Sequence, residues 1–120
     1  MPLVDMRDML NHAYQNNYTI GGFGLVSLDF LEAIVTTAEI CRSPVILNLS
    51  EPLFYQHDFS LIMPAVERAA HHAKVPVAIH FDHAKKHESI VQAINRGCNS
   101  VMLDVSSETF PVKIAQTSRV

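Results

Sequence analysis

The sequence predicts an α/β fold built from parallel strands joined by helices, and three observations predict it. Short β-branched runs at residues 45–49, 77–81 and 100–104 alternate with longer stretches in which apolar residues recur every three or four positions. The run Val45-Ile46-Leu47-Asn48-Leu49 is apolar but for one residue, as in a parallel strand covered on both faces. Ser43-Pro44-Val45-Ile46-Leu47 is echoed one unit later by Val75-Pro76-Val77-Ala78-Ile79, and repeated βα units imply right-handed crossovers.

Taken in order, residues 4–16 read as a helix, apolar at Met6, Leu10, Ala13 and Tyr14, stopped by Asn16-Asn17. Residues 18–23 read as a first strand running into Gly21, Gly22 and Gly24. Ser27 suits an N-cap, because its hydroxyl can accept from a free N–H of the first helical turn. The helix behind it lines up Leu28, Leu31, Val35 and Ala38, with Glu32 and Glu39 off that stripe. After the second strand, residues 50–58 read as a loop. Residues 59–73 read as a helix in which Pro64 sits near the first turns or makes a kink. The third strand follows Pro76. A helix over 86–96, apolar at Ile90, Val91 and Ile94, is closed by Gly97 at a C-terminal cap position. The fourth strand leads to a helix over 109–120 that tolerates Pro111 in its first turn. That helix reaches Val120 without a cap or a breaker, so the chain reads as cut. Four such units are half of a (β/α)8 barrel, a fold of ~250 residues. A small doubly wound sheet is the alternative.

Bulk properties narrow the function. The 120 residues suit one domain, 48% hydrophobic and 18% charged, which is a globular composition. A net charge of -3, with Lys85-Lys86 the one adjacent basic pair, leaves no footprint for nucleic acid or an anionic membrane. No apolar run is long enough for a transmembrane helix, and the start lacks the basic and apolar regions of a signal peptide. Cys41 and Cys98, with no CxxC spacing, read as reduced thiols of a cytoplasmic protein.

The densest polar cluster is His80-Phe81-Asp82-His83, where a buried strand runs out into a loop. Ligand sites of α/β folds gather at such C-terminal strand ends. Strand alternation puts His80 and Asp82 on one side, and His83, beyond the regular strand, is free to turn the same way. Imidazole is a good zinc ligand and a neighbouring carboxylate can move protons. The plainer reading is a hydrogen-bonded strand end, with His80 a satisfied core histidine. Asp104 also ends a strand, where it can approach a metal, orient a ligand histidine or simply organise a turn. Ser50 and Glu51 follow the second strand, where a hydroxyl can hold a substrate phosphate or belong to an ordinary polar loop. His12, His57, His71, His72 and His87 have no partners at metal-ligand spacing and read as surface residues.

The stretch Val75-Pro76-Val77-Ala78-Ile79-His80-Phe81-Asp82-His83 resembles the "vPValHlDH" segment of class II fructose- and tagatose-bisphosphate aldolases. It continues through Glu88, Ala93-Ile94 and Gly97 to Ser100-Val101-Met102-Leu103-Asp104, matching the family run "E…AI..G..SVM.D". The resemblance implies a (β/α)8 barrel, of which residues 1–120 form a single partial domain, the N-terminal half. It implies reversible, zinc-dependent aldol cleavage of a ketose 1,6-bisphosphate to dihydroxyacetone phosphate and glyceraldehyde 3-phosphate. By the same resemblance Asp82 matches the catalytic acid/base, His83 the first zinc ligand, Asp104 a carboxylate near the metal and Ser50 a polar residue near a substrate phosphate. The remaining zinc ligands are expected beyond residue 120, so the isolated chain is expected to be inactive. The complete enzyme is expected to be a homo-oligomer.

Gly24 stands where the family usually has Asn. Ala84 and Val105 replace glycines after His83 and Asp104, and Lys113 stands near a common Asn. A valine at a glycine position predicts strain wherever the backbone needs positive φ. Two other readings compete: a truncated, non-catalytic half-barrel that lives by association with another chain, and a barrel hydrolase using strand-end histidines.

Overall fold

A computed structural model describes residues 3–120. Its elements, in chain order, are α1 (Met6–Gln15), β1 (Gly21–Gly24), α2 (Leu28–Cys41), β2 (Val45–Ser50), α3 (Glu51–Gln56), α4 (Phe59–His72), β3 (Val77–Ala84), α5 (His87–Asn95), β4 (Ser100–Leu103) and α6 (Phe110–Thr117). The four strands form one parallel sheet in the order β1-β2-β3-β4. This is the predicted succession of βα units, with each strand beside its sequence neighbour.

Pairing fixes which residues share a face, because side chains alternate along a strand and partners in register point the same way. Val45, Leu47 and Leu49 of β2 and Val77, Ile79 and Phe81 of β3 face the helices. There they pack with Leu31 and Ala38 of α2, Phe59, Met63, Val66 and Ala70 of α4, and Ile90 and Ala93 of α5. The opposite face changes character along its length. At its N-terminal end Ile46 and Ala78 are covered by Met9 of α1. Towards the C-terminal end the same face carries Asn48, Ser50, His80 and Asp82, in register as Asn48↔His80 and Ser50↔Asp82. One end of this face is dry and the other polar.

The capping signals act where expected. Ser27 accepts from Phe30 N–H at 3.3 Å. Asn17 takes φ 56°, and Tyr18 N–H returns to the Ala13 carbonyl at 3.1 Å. That closure of α1 uses the backbone of Tyr18, so β1 is shorter than predicted and starts only at Gly21. Asn99 joins distant segments: its Oδ1 accepts from Ile79 N–H at 2.9 Å and its Nδ2 donates to the Val4 carbonyl at 2.7 Å.

Several expectations are corrected. Residues 51–56, read as loop, form α3, with Pro52 in its first turn and Phe54 stacked against Phe59 and Phe81. The buried face of α1 is Met9 and Ala13, whereas Leu10 and Tyr14 face outwards. In α2 Leu28 is exposed, and in α5 Ala93 replaces Val91 and Ile94 as the partner of Ile90. Pro64 lies inside α4. The last helix ends at Thr117. Neither Ala84 nor Val105 has positive φ, so the replacement of glycine at these positions carries no backbone strain. Ala84 is instead fully buried among the helix-facing apolar residues.

Candidate functional site at the C-terminal end of the sheet

The candidate site begins with an irregularity in β3. Strict alternation would point His83, like Val77, Ile79 and Phe81, into the apolar layer under the helices. The strand does not end before His83, as the sequence suggested, but runs on through Ala84. Phe81 pairs with Val101 and Ala84 with Leu103, so β3 spends three steps where β4 spends two. The extra residue is absorbed at His83, which has φ 52°. Such a bulge reverses the parity of the strand. Ala84 takes the buried position, and the His83 ring emerges beside Asp82.

This brings the predicted residues together. His83 Nδ1 lies 3.0 Å from Asp104 Oδ2, and its Nε2 lies 3.8 Å from Asp82 Oδ2. His80 Nε2 lies 3.4 Å from Asp82 Oδ1, while its Nδ1 lies 2.7 Å from Ser100 Oγ. In the neutral tautomer that satisfies both contacts, the Ser100 hydroxyl donates to Nδ1 and the Nε2–H of His80 points at Asp82. Asp104 is held in turn by Ser106, whose hydroxyl and N–H donate to Oδ1 at 2.7 and 3.1 Å. Ser50 is the register partner of Asp82 one strand away. It joins the polar end of the sheet, where its side chain makes no hydrogen bond among the described residues.

The electrostatics follow from these contacts. The Ser106 hydroxyl and then the His83 ring hold the Asp104 carboxyl well below the usual carboxylate range. The Asp104 carboxylate, followed by the charge of Asp82, raises the His83 pKa. Burial lowers that of His80 against the opposing pull of Asp82. Two imidazoles flanking one carboxylate are thus pushed apart, His83 towards the cation and His80 towards the neutral ring.

His83 fits the role of a metal ligand in one respect. With Nδ1–H donated to Asp104, the Nε2 lone pair is free for a cation, the arrangement by which carboxylates orient ligating histidines. Among the described residues no group of three or more metal-ligating side chains is assembled. A catalytic zinc ordinarily takes three protein ligands, and these residues do not by themselves supply that number. His12, His57, His71, His72 and His87 are all exposed and stand apart from it.

Sequence reasoning missed the bulge, and the signal for it was a polar residue, His83, at a position whose parity belonged to the core. It named Glu51 beside Ser50 at the end of the second strand but gave its carboxylate no role. This carboxylate is only 6% exposed and accepts from the N–H groups of Lys85 at 3.0 Å and Lys86 at 3.3 Å.

The model of the family described as "Fructose-bisphosphate aldolase class-II" matches residues 4–120. This chain belongs to the class II fructose-bisphosphate aldolase family. Over 123 aligned residues that take in all of this chain, it is 42% identical to a probable fructose-bisphosphate aldolase of Bacillus subtilis (strain 168), covering 43% of that relative. It is 38% identical to the fructose-bisphosphate aldolase of Staphylococcus aureus (strain Mu50), with the same coverage. Among solved structures, the YdjI aldolase from Escherichia coli K12 superposes with a TM-score of 0.92 at 31% identity, over 98% of this chain and 45% of that one. A putative fructose-1,6-bisphosphate aldolase from Coccidioides immitis gives 0.88 at 27% identity, over 96% and 40%. The class II aldolase fold is therefore present as a partial portion of the barrel, and the chain spans less than half the length of the curated relatives it matches.

Proposed function

We propose that this chain carries the Asp82–His83 corner of a zinc-dependent aldolase site that cleaves a ketose 1,6-bisphosphate, fructose or tagatose, to dihydroxyacetone phosphate and glyceraldehyde 3-phosphate. The observation that carries the reading is the bulge, which sets His83 and Asp82 side by side with Asp104 behind the ring. Zinc, when bound, supplies a Lewis acid that stabilises the negative charge developing on the three-carbon fragment. His83 is the residue here that would hold it, and Asp104 keeps the ring turned for that purpose.

Asp82 acts as the base. In cleavage it takes the proton of the hydroxyl beside the scissile carbon–carbon bond. That carbon becomes the aldehyde carbonyl, and the bonding pair stays on the ketone fragment, which is then protonated. In condensation Asp82 returns the proton to the forming hydroxyl. His80 orients Asp82 by pointing Nε2–H at its other oxygen. Ser50, level with Asp82 on β2, is assigned to a substrate phosphate.

We place the remaining zinc donors in the part of the barrel that these relatives have and this chain's alignment leaves uncovered. On that reading the 120-residue chain alone is inactive, and a complete, cytoplasmic enzyme works as a homo-oligomer. The test is aldol cleavage by the purified chain with fructose and tagatose 1,6-bisphosphate, with zinc and with chelator. No triose phosphate release is expected. Zinc-dependent release would show that association of chains supplies the missing donors.

A second reading is a non-catalytic half-barrel that binds another chain. It is favoured by the outer edges of β1 and β4, unpaired among the described residues, and by α6, which buries none of its residues. Unpaired strand edges and exposed apolar helices invite association. A well-behaved monomer in sedimentation would remove that reading.

A further inference from the structure

We propose that Glu51 is a positioning residue for His83, an inference that rests on the aldolase reading for its purpose but not for its test. Glu51 opens α3 directly after β2, and its side chain is buried although it carries a carboxylate. Burial of such a group is costly unless donors surround it. Its donors are main-chain: Lys85 N–H reaches Oε2 at 3.0 Å and Lys86 N–H reaches Oε1 at 3.3 Å. Lys86 is the N-cap of α5 and makes no side-chain cap bond of its own. Glu51 therefore supplies from another element an acceptor at the start of α5, where the Lys86 side chain supplies none.

The consequence is felt two residues upstream. His83 has a left-handed backbone, which a non-glycine residue keeps only where its surroundings over-determine it. On one side the segment is tied to the β4 end, where Asp104 N–H donates to the Ala84 carbonyl at 2.7 Å and the His83 ring meets Asp104. On the other side Glu51 ties down residues 85 and 86. The far end of α3 reinforces the same junction, with Tyr55 Oη 2.8 Å from Ser89 Oγ and the Lys86 ammonium 5.2 Å from the Tyr55 ring centroid. Glu51 thus holds the turn after His83 while Asp104 holds its ring, and the His83 ring direction depends on both.

The test uses the intact chain labelled with nitrogen-15 and needs neither metal nor substrate. Lys85 and Lys86 are exposed residues, so without an acceptor their amide protons exchange at the unstructured rate. Protection of roughly tenfold or more is expected at both, and unprotected exchange at either would overturn the proposal. The second readout is the pair of His83 ring nitrogens at alkaline pH. A ring held in one tautomer by Asp104 gives two well-separated resonances. Glu51→Gln keeps the size of the side chain but sets an amide against two N–H donors. It is expected to move the His83 pair towards their average while the His80 pair, held by Ser100, stays in place. If His83 keeps its separation and only the melting midpoint falls, Glu51 is a structural residue and the proposal is wrong. Glu51→Asp provides the same comparison should the Gln variant fail to fold. A complete barrel carrying this sequence that released no triose phosphate would count against the aldolase reading without touching either readout.

Discussion

The His83 ring donates through Nδ1 to Asp104 Oδ2 at 3.0 Å, across the bulge that separates the ends of β3 and β4. This bond ties the ionisation of the two residues together, and it sets the first expectation. His83 should titrate above the ordinary histidine value and His80 below it. Asp104→Asn should lower the His83 midpoint and leave that of His80 nearly in place, as ring-proton shifts against pH would show. The signs for stability differ. The contribution of His83 is fully present below the unfolded histidine value and lost as pH rises through its raised midpoint. That of His80 is present above the unfolded value and lost as pH falls through its lowered one. The contribution of Asp104 is present above the unfolded carboxylate value and lost as pH falls towards its depressed midpoint.

Asp82→Ala should separate proton transfer from ring orientation. In any preparation that cleaves a ketose bisphosphate, turnover should drop by about 10²–10⁴-fold, the usual share of a general base. The His83–Asp104 bond should persist, visible in the ring-nitrogen resonances. Retained turnover would remove the base from Asp82.

The two cysteines should differ in reactivity. Cys98 is buried, and that burial, with a smaller push from the Glu67 charge, drives its thiol up to about 12. Cys41 is exposed. Iodoacetamide should label Cys41 alone in the native chain and both thiols after unfolding, counted by mass spectrometry. Native labelling of Cys98 would show that the layer beneath α5 opens readily.

Gly97 closes α5 at φ 105°, and a β-carbon there would overlap the Glu67 carboxylate. Gly97→Ala should therefore destabilise the chain by about 1–2 kcal/mol, from backbone strain and from displacement of the Glu67 side chain. Denaturant titration measures it, and an unchanged midpoint would mean that the cap relaxes.

Phe81 has no exposed surface and meets the rings of Phe54 and Phe59. Phe81→Ala should cost about 3–5 kcal/mol in the same titration. A loss under ~1 kcal/mol would mean that the α3 aromatic cluster collapses into the space.

The order of elements was legible because its causes are local. The runs after Pro44 and Pro76, the Ser27 hydroxyl and Gly97 each act within a few residues. Asp82 stood out because a carboxylate at the end of an apolar strand needs a reason to be there. What stayed hidden depends on contacts far apart in sequence. Nothing near Glu51 announces that its acceptors serve residues 85 and 86, and α3 is held by Phe81, a strand away. The buried stripe of α1 was misjudged for the same cause: Met9 rather than Leu10 is inside because Ile46 and Ala78 are what it meets. The bulge at His83 was legible only in the negative, as a polar side chain on the wrong parity.

The left-handed backbone at His83 makes this position a place where folding and selection pull in opposite directions. Glycine would relieve about 1–2 kcal/mol of steric cost at such a φ, but it offers no imidazole. A histidine on an uphill backbone is in that sense a running cost, offset here by the bonds that fasten its ring and the turn around it to Asp104.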